Sequence, residues 1–377
     1  MEKVAIIGAG ISGLYLANLL EKNSNYDYKI FEKRTKIDLN NNYGIQLSIN
    51  SINLLNKIGF KKIQASEIAF PKMVNFYDAK SCKKICDIDI SKFNFEDNRY
   101  STLKRSTLIK FLVKNIPSNK IVTGSQPHNI ENSKKIKIYY ENNSTEDFDH
   151  LIVSDGVFSK TKLIITKKES SPRFYNSIAL RGNIKNIQSN DISIYMGSNF
   201  HFVIYPINQN KEYNFICIMR KKLNNKQLLD KALFKSDKFL KTLCEKIYQK
   251  TKLDLKDKIE NIISFPVFVS KKPEIINKKN IYFVGDALFT FPPSFAQGAS
   301  QSIESSNEVY EEIINNTNTY YKKRLIKIKS VNYRSKLNLF TFHLSNPITV
   351  YLRNIFLKYL TKKNNFLESY LGKIYKG

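Results

Sequence analysis

The chain has 377 residues, 42% of them hydrophobic, with 25 Phe and 22 Tyr, so it is long enough to bury a full core and is not a disordered sequence. Four cysteines exclude a disulfide framework, and four histidines (128, 150, 201 and 343) without ligand spacing argue against a structural metal. The net charge of +28 invites a nucleic-acid reading, but the lysines are dispersed beside Asn and Ile rather than gathered in one block with aromatics, which is the pattern of a solvated basic surface.

The first stretch, VAIIGAGISGLYLANLL, is the most informative. Val4 to Ile7 reads as a strand that breaks at Gly8-Ala9-Gly10, and a helical pattern begins at Ile11 with Leu14, Ala17 and Leu20. Gly8, Gly10 and Gly13 fit G-x-G-x-x-G: a tight turn, close approach of backbone to a pyrophosphate, and close packing of helix on strand. A second strand, Tyr28 to Phe31, ends on Glu32, 24 residues after Gly8, where a carboxylate accepts from both hydroxyls of an adenosine ribose. This end of the chain is expected to bind a dinucleotide, FAD or NAD. No signal-peptide pattern precedes the first strand, and no apolar run reaches the roughly 18 residues of a membrane span. The expectation is a reduced, cytoplasmic protein without a transmembrane helix.

A polar loop spans Asp38 to Asn42, a short extended segment Tyr43 to Leu47, and a helix Ser48 to Ile58 that stops at Gly59. Met73 to Tyr77 and Ile85 to Ile90 read as two strands around a turn. A helix is expected within Tyr100 to Ile116, capped by Thr102 or Ser106, with Arg105 at its start and Leu108, Phe111 and Leu112 as its apolar stripe. Lys120 to Thr123, Ile136 to Tyr140 and Phe148 to Ser154 read as strands, the last running into Asp155-Gly156, a common ligand position in open sheets. From Ser170 to about Ile263 the pattern becomes antiparallel: strands at Ser177 to Ile184, Ile192 to Met196, Phe200 to Pro206 and Tyr213 to Met219, a helical piece from Leu228 to Thr251, then a strand from Ile262 to Val269. A nucleotide-domain pattern returns with the strand Asn280 to Val284, Gly285-Asp286, and a loop through Pro293 and Gln297 that opens the helix Ser300 to Ile314. The tail, Tyr320 to Lys376, is helical and basic, broken at Pro347. Ile348, Leu352, Ile355 and Tyr359 share one face of it, which is expected to pack on the core rather than lie on a membrane.

The three strand-end motifs occur together with YGIQLSINSINLLNKIGF, LKRSTLIKFL, LIVSDGVFSKTK, ALRGNI, HFVIYPI and NIYFVGDALFTFPPSFAQGASQSIESSN. The set resembles the FAD-dependent aromatic hydroxylases, the group A flavoprotein monooxygenases of the para-hydroxybenzoate hydroxylase fold, over nearly the whole chain. The RG, YP and AQGA elements are most similar to the salicylate hydroxylase-like branch. The resemblance implies an α/β fold: a Rossmann-type FAD-binding domain in three pieces (1–70, 100–169 and 275–330), an inserted β-sheet substrate domain (71–99 and 170–274) and a C-terminal helical segment (331–377). It implies that Gly8, Gly10, Ile11, Ser12, Gly13, Glu32 and Lys33 hold the ADP half of FAD and that Arg105, Asp155, Gly156 and Asp286 contact the cofactor further along. Pro293, Gly298 and Ala299 would lie beside the isoalloxazine ring. NADH or NADPH would bind transiently, and O2 would react with reduced flavin to a C4a-hydroperoxide that hydroxylates an aromatic or related apolar small molecule.

Arg181, His201 and Tyr205 are the candidates to touch substrate, His201 as a base for a phenol and Arg181 as partner of a carboxylate. The family histidine after Gly-Asp-Ala is replaced by Phe289, its later Glu-Asp-Ala reads Glu304-Ser305-Ser306, and the usual proline near Asn50 is Ile49. The alternatives are a flavin dehydrogenase or reductase acting on an isoprenoid or quinone precursor, and a basic nucleic-acid-binding protein. A flavin halogenase is disfavoured because the chain has no Trp. The expected partners are a small molecule and O2, with no nucleic acid and peripheral membrane contact through the basic tail as a secondary reading; a monomer and a homodimer are both compatible.

Overall fold

A computed structural model describes all residues except 41, 142, 169–171, 275, 277 and 377. Two of the expected domain junctions, at 169/170 and 274/275, involve residues outside that set, as does the final residue of the tail segment.

The apolar run at the N-terminus becomes the strand Glu2–Ile7, the middle of a five-stranded sheet. Its neighbours are Tyr26–Glu32, followed by Ile121–Thr123, on one side and His150–Val153, followed by Ile281–Phe283, on the other, all parallel. Parallel strands are covered on both faces, and Val4, Ala5 and Ile6 are accordingly fully buried. The helix Ile11–Glu21 buries nine of its eleven residues, because it is sandwiched between this sheet and the helix Gly298–Ile314. Asn18 is tolerated inside because its amide donates to the Leu14 and Leu112 carbonyls.

A second sheet has seven strands, in the order Ile259–Val269, Arg173–Ile184, Tyr213–Arg220, Phe200–Pro206, Ile192–Gly197, Met73–Asp78 and Lys84–Asp89. Only the pair Ile192–Gly197 and Met73–Asp78 is parallel. Residue parity divides its faces. Ile178, Leu180, Phe200, Phe202, Phe215 and Cys217 pack with Leu243 and Ile247 of the helix Asp237–Tyr248. The alternate residues, Ala179, Arg181, His201, Val203, Tyr205 and Ile216, face a cavity between the two sheets. The three substrate candidates share one face because His201 and Tyr205 alternate with their neighbours on one strand, and Arg181 and Val203 both pair with Ile216 on the strand between.

The chain departs from the sequence reading at several elements. Ser101–Lys104 is a strand, and the helix starts only at Arg105. Neither cap candidate caps: Thr102 Oγ1 donates to the Pro206 carbonyl and Ser106 Oγ to Asn42 Oδ1. The expected helix from Leu228 to Thr251 is two helices, Asn225–Leu229 and Asp237–Tyr248, split where the Asp230 side chain accepts from Ala232 and Leu233. Two strands of a small meander, Pro127–Asn132 and Thr145–Phe148, were not expected; both are polar and exposed on one side. In the tail, Pro347 opens a new helix, Pro347–Leu360, whose N-cap is Asn346. The face expected to pack on the core is exposed at Ile348, Leu352, Ile355 and Tyr359.

Candidate functional site

The turn after the first strand is built for close approach. Gly8 has φ +105° and donates to the Phe31 carbonyl at 2.8 Å. A Cβ on Gly8 would lie 2.6 Å from the Ser154 carbonyl oxygen. A Cβ on Gly13 would fall on the Gly8 carbonyl, 2.7 Å from Ser154 Oγ. Ser154 Oγ donates to the Ile7 carbonyl at 2.8 Å, so the serine before Asp155 locks strand, turn and helix together. A Cβ on Gly10 would meet nothing within 4 Å. Gly8 and Gly13 therefore serve packing, whereas the space above Gly10 is left for a ligand.

Glu32 lies where the spacing places it. Its carboxylate accepts from Ala9 N–H and Arg34 N–H, each at 3.0 Å, which fixes its orientation and leaves a lone pair on each oxygen. Gly8, Gly10, Glu32, Lys33, Arg105, Asp155 and Gly156 line one cleft of about 280 Å³. Arg105 Nη1 and Asp155 Oδ1 are buried there without a partner among the described residues. Buried polar atoms are almost always paired, so this donor and this acceptor are directed at a group from outside the chain. Ile11 and Ser12 do not line the cleft, but Ser12 serves it from behind: a Cβ on Gly285 (φ +56°) would collide with Ser12 Oγ, and Ser306 Oγ donates to the Ser12 carbonyl at 3.0 Å.

Phe158 is shared between this cleft and a larger cavity of about 1130 Å³. Asp286, Pro293, Gly298, Ala299, Arg181, His201 and Tyr205 all line the second space. Gly298 opens the helix Gly298–Ile314, and a Cβ there would meet nothing within 4 Å. The unbonded N–H groups of its first turn and its positive dipole end suit an anionic or electron-rich ring edge. A buried hydroxyl cluster holds that end in place. Ser48 N–H donates to Ser300 Oγ at 3.1 Å, Ser51 Oγ lies 2.9 Å from the same oxygen, and Gln297 Nε2 donates to Ser48 Oγ at 3.2 Å. Deeper along the helix, fully buried Arg324 pairs with Glu304 at 3.2 Å and Glu308 at 2.9 Å, and Lys327 with Glu304 at 2.9 Å. Burial pushes both carboxyls up, but Arg324 and Lys327 hold Glu304 below its usual value, while burial prevails at Glu308.

The dense protein around Asp286 raises its carboxyl to about 6. Its surface nevertheless opens on the cavity. Water in the cavity offsets much of that rise, and a ligand displacing the water restores it. Phe289, in place of the family histidine, is buried against Phe291 with ring centroids 5.0 Å apart, and so fills space rather than offering a proton.

Arg181 stacks its guanidinium 4.4 Å from the centroid of the Tyr43 ring, and its buried Nε has no partner among the described residues. The neighbouring Gly44 N–H donates to Asn214 Oδ1 at 2.7 Å, tying the segment that carries Tyr43 to the seven-stranded sheet. His201 is almost fully buried, not the partly exposed strand residue that a lone histidine suggests. Its Nδ1 lies 2.7 Å from His343 Nε2, and burial pulls His201 down to about 3, so it is a weak base. Burial raises the Tyr205 phenol well above its usual value, against the opposing charge of Arg181. Sequence reasoning missed Ser154, Asn214, the Ser48–Ser300 cluster and His343. Only the serine-rich run after Gly298 carried a readable signal, as hydroxyls on a buried helix need partners.

These residues fit FAD: a carboxylate suited to a ribose at Glu32, an open glycine at Gly10, one nitrogen of Arg105 and one oxygen of Asp155 without partners among the described residues, and a glycine-opened helix facing the far chamber. Among the described residues no cluster could hold a metal ion. Residues 6–39 match the NAD(P)-binding Rossmann-like domain family. A 180-residue stretch is 26% identical to monooxygenase asqM of Emericella nidulans, covering 43% of this chain and 40% of that protein. A 225-residue stretch is 20% identical to 3-amino-4-hydroxybenzoate 2-monooxygenase of Streptomyces cremeus, covering 57% and 56%. The alignments thus span about half the length of these relatives. Among solved structures, Klebsiella pneumoniae HpxO with FAD and uric acid superposes with a TM-score of 0.79 at 15% identity, over 100% of this chain and 97% of that one. A salicylate hydroxylase substrate complex gives 0.77 at 17% identity, over 100% and 95%. With a Rossmann-type nucleotide sheet at one end and a covering antiparallel sheet at the other, the chain has the fold of the FAD-dependent hydroxylases.

Proposed function

We propose that the protein is an FAD-dependent monooxygenase that uses NAD(P)H and O2 to hydroxylate an aromatic or related apolar small molecule. The observation that carries this reading is the pair of neighbouring spaces that share Phe158, the Gly10–Glu32 cleft and a mostly apolar chamber lined by Asp286 and the N-terminus of the Gly298 helix. The proteins of like fold bound to FAD and uric acid, or named for salicylate, support the same reading. The working division keeps 1–70, 100–169 and 275–330 as the FAD-binding unit, 71–99 and 170–274 as the substrate unit, and 331–377 as a helical cover.

In this reading Glu32 accepts the adenosine ribose hydroxyls, while Gly10 and the N–H groups of the first helix take the pyrophosphate. Arg105 and Asp155 find their missing partners on the cofactor. Asp286 would accept from hydroxyls of the ribityl chain, Pro293 would wall the ring, and the N–H groups of Gly298 and Ala299 would stabilise negative charge at the ring edge. FAD held by these residues would supply hydride acceptance from NAD(P)H and activation of O2 for transfer of a hydroxyl group. The chain's own part is to orient the acceptor ring and keep water away, and Val203, Ile216, Ile218 and Phe291 supply the dry wall. Arg181, fixed over Tyr43, is placed to hold an anionic oxygen of the substrate. His201 stays neutral and contributes a hydrogen bond rather than a strong base.

The test is to release the bound cofactor from purified protein, identify it by mass, and screen ring compounds for stimulated NAD(P)H consumption with incorporation of labelled O2. Turnover undiminished without O2 would favour the dehydrogenase or reductase reading. A colourless protein that takes up no FAD would remove the reading altogether.

A further inference from the structure

The helix Pro347–Leu360 leaves six large apolar side chains in water: Ile348, Tyr351, Leu352, Ile355, Phe356 and Tyr359, between 46% and 69% exposed. At 100° per residue they fall within one arc, so this is a face and not a scatter. Contiguous exposed apolar surface of this kind marks an interaction site. The opposite side of the helix packs through Arg353, which is buried and donates to the Thr341 carbonyl at 3.2 Å, so the face is held outward by a fixed anchor.

Two further observations select the occupant. Residues 320–377 carry 13 Lys and Arg against one acidic residue, Glu368. Lys358, Lys362 and Lys363 stand exposed at the end of the helix, and Lys336 on the adjoining helix Tyr320–Phe342. A second copy of the chain would bring like charges together across the face, whereas a bilayer with anionic headgroups complements them. Leu352 and Phe356 are both exposed and also line the large cavity, so the apolar face runs without a break into its mouth.

We infer that the Pro347–Leu360 helix docks in the plane of an anionic membrane surface, its apolar arc among the headgroups and acyl chains and its lysines on lipid phosphates. The cavity then opens toward the bilayer, and a lipophilic ring compound dissolved there enters without crossing water; this second step alone rests on the hydroxylase reading above.

The chain has no tryptophan, so Tyr351→Trp provides a single indole on the face, and Leu229→Trp, at the exposed end of a short helix, a control elsewhere. The probes are phosphatidylcholine vesicles with and without phosphatidylglycerol, added to the whole protein. Co-sedimentation is expected with the anionic vesicles, at least about tenfold weaker with neutral ones. It is expected to fall at least about tenfold in Ile348→Ser/Ile355→Ser/Tyr359→Ser, none of which lines the cavity, with the melting midpoint unchanged. Tyr351→Trp emission is expected to shift to the blue on anionic vesicles and Leu229→Trp emission to stay; this pair decides should the triple variant fail to fold. No vesicle binding, equal binding by a folded triple variant, or a shift only at Leu229→Trp overturns the inference. So does a doubling of mass removed by the triple variant, which gives the face to a second copy, or binding of polyglutamate in place of vesicles, which gives it to an acidic protein. Vesicle binding needs no turnover, so docking without hydroxylation would leave the surface standing and defeat the enzymatic reading.

Discussion

Gly10→Ala and Gly13→Ala separate ligand approach from folding within one four-residue stretch. At Gly13 the new methyl falls on the Gly8 carbonyl and lies 2.7 Å from Ser154 Oγ and 3.1 Å from Ile6 Cγ2. The first belongs to a turn fixed by its bond to Phe31, and the last to the central strand, so neither can yield cheaply. Overpacking of this kind costs about 1–3 kcal/mol, and a carbonyl in the way puts the value at the upper end. Against it stands the gain of up to about 1 kcal/mol for Ala over Gly within a helix. The expected net loss is about 2 kcal/mol in the flavin-free protein. At Gly10 φ is −88° and ψ −173°, which alanine adopts freely, and its methyl meets nothing. Folding stability should stay within about 1 kcal/mol of wild type. On the proposed FAD reading the methyl occupies the path of the pyrophosphate, and losing about 2 kcal/mol of close contact should weaken FAD binding about 30-fold. Urea denaturation of the flavin-free proteins and titration with FAD give the two numbers separately. Wild-type FAD affinity in Gly10→Ala, or equal destabilisation by both substitutions, would refute the assignment of these glycines.

Three other outcomes follow from the buried charges. Arg324→Met leaves Glu308 without its cation and Glu304 with Lys327 alone, and should cost about 3 kcal/mol by urea denaturation. Glu304 is held below its usual value, so its stabilising share is present above its unfolded pKa of about 4.3 and fades as pH falls; the gap between wild type and variant should narrow below that pH. Asp286 behaves in the opposite sense, since its folded value is raised to about 6. With FAD in place of the cavity water that rise is restored, so FAD affinity should fall as pH climbs from about 4 to 6, and Asp286→Asn should remove that slope; an unchanged slope would show the carboxyl to stay solvated with FAD bound. His201 and His343, both lowered chiefly by burial, should show no imidazole titration between pH 5 and 8 by NMR, and a midpoint near 6.5 for either would contradict the packed pair.

The nucleotide end was legible because its determinants are local. Three glycines, a carboxylate ending the next strand and an Asp-Gly after a buried strand each announce themselves within a few residues, and the fold brings Gly10, Glu32 and Asp155 to one cleft. The alternation that puts His201 and Tyr205 on one side of their strand is local, but the register that adds Arg181 is set by pairing through Tyr213–Arg220. What could not be read is what depends on distant partners. His343 lies 142 residues beyond His201, and Asn214 holds Gly44 from 170 residues away. Ser101–Lys104 looked like a capped helix start because Thr102 carries the right side chain, but tertiary pairing with Gly44–Leu47 and Ile68–Ala69 took that segment into a sheet. The exposed tail helix was misjudged because amphipathic periodicity does not say which side of a helix meets water.

The order of strands in the parallel sheet bears on how the protein is made. His150–Val153 is wholly buried in the finished molecule, and its outer neighbour, Ile281–Phe283, lies some 130 residues further along the chain. During synthesis the ribosome must deliver nearly all of the second sheet before that edge can be closed. Until then an apolar strand with unpaired amides is open to any passing extended chain, and yield in a heterologous host should depend on translation speed and chaperone supply between those two segments.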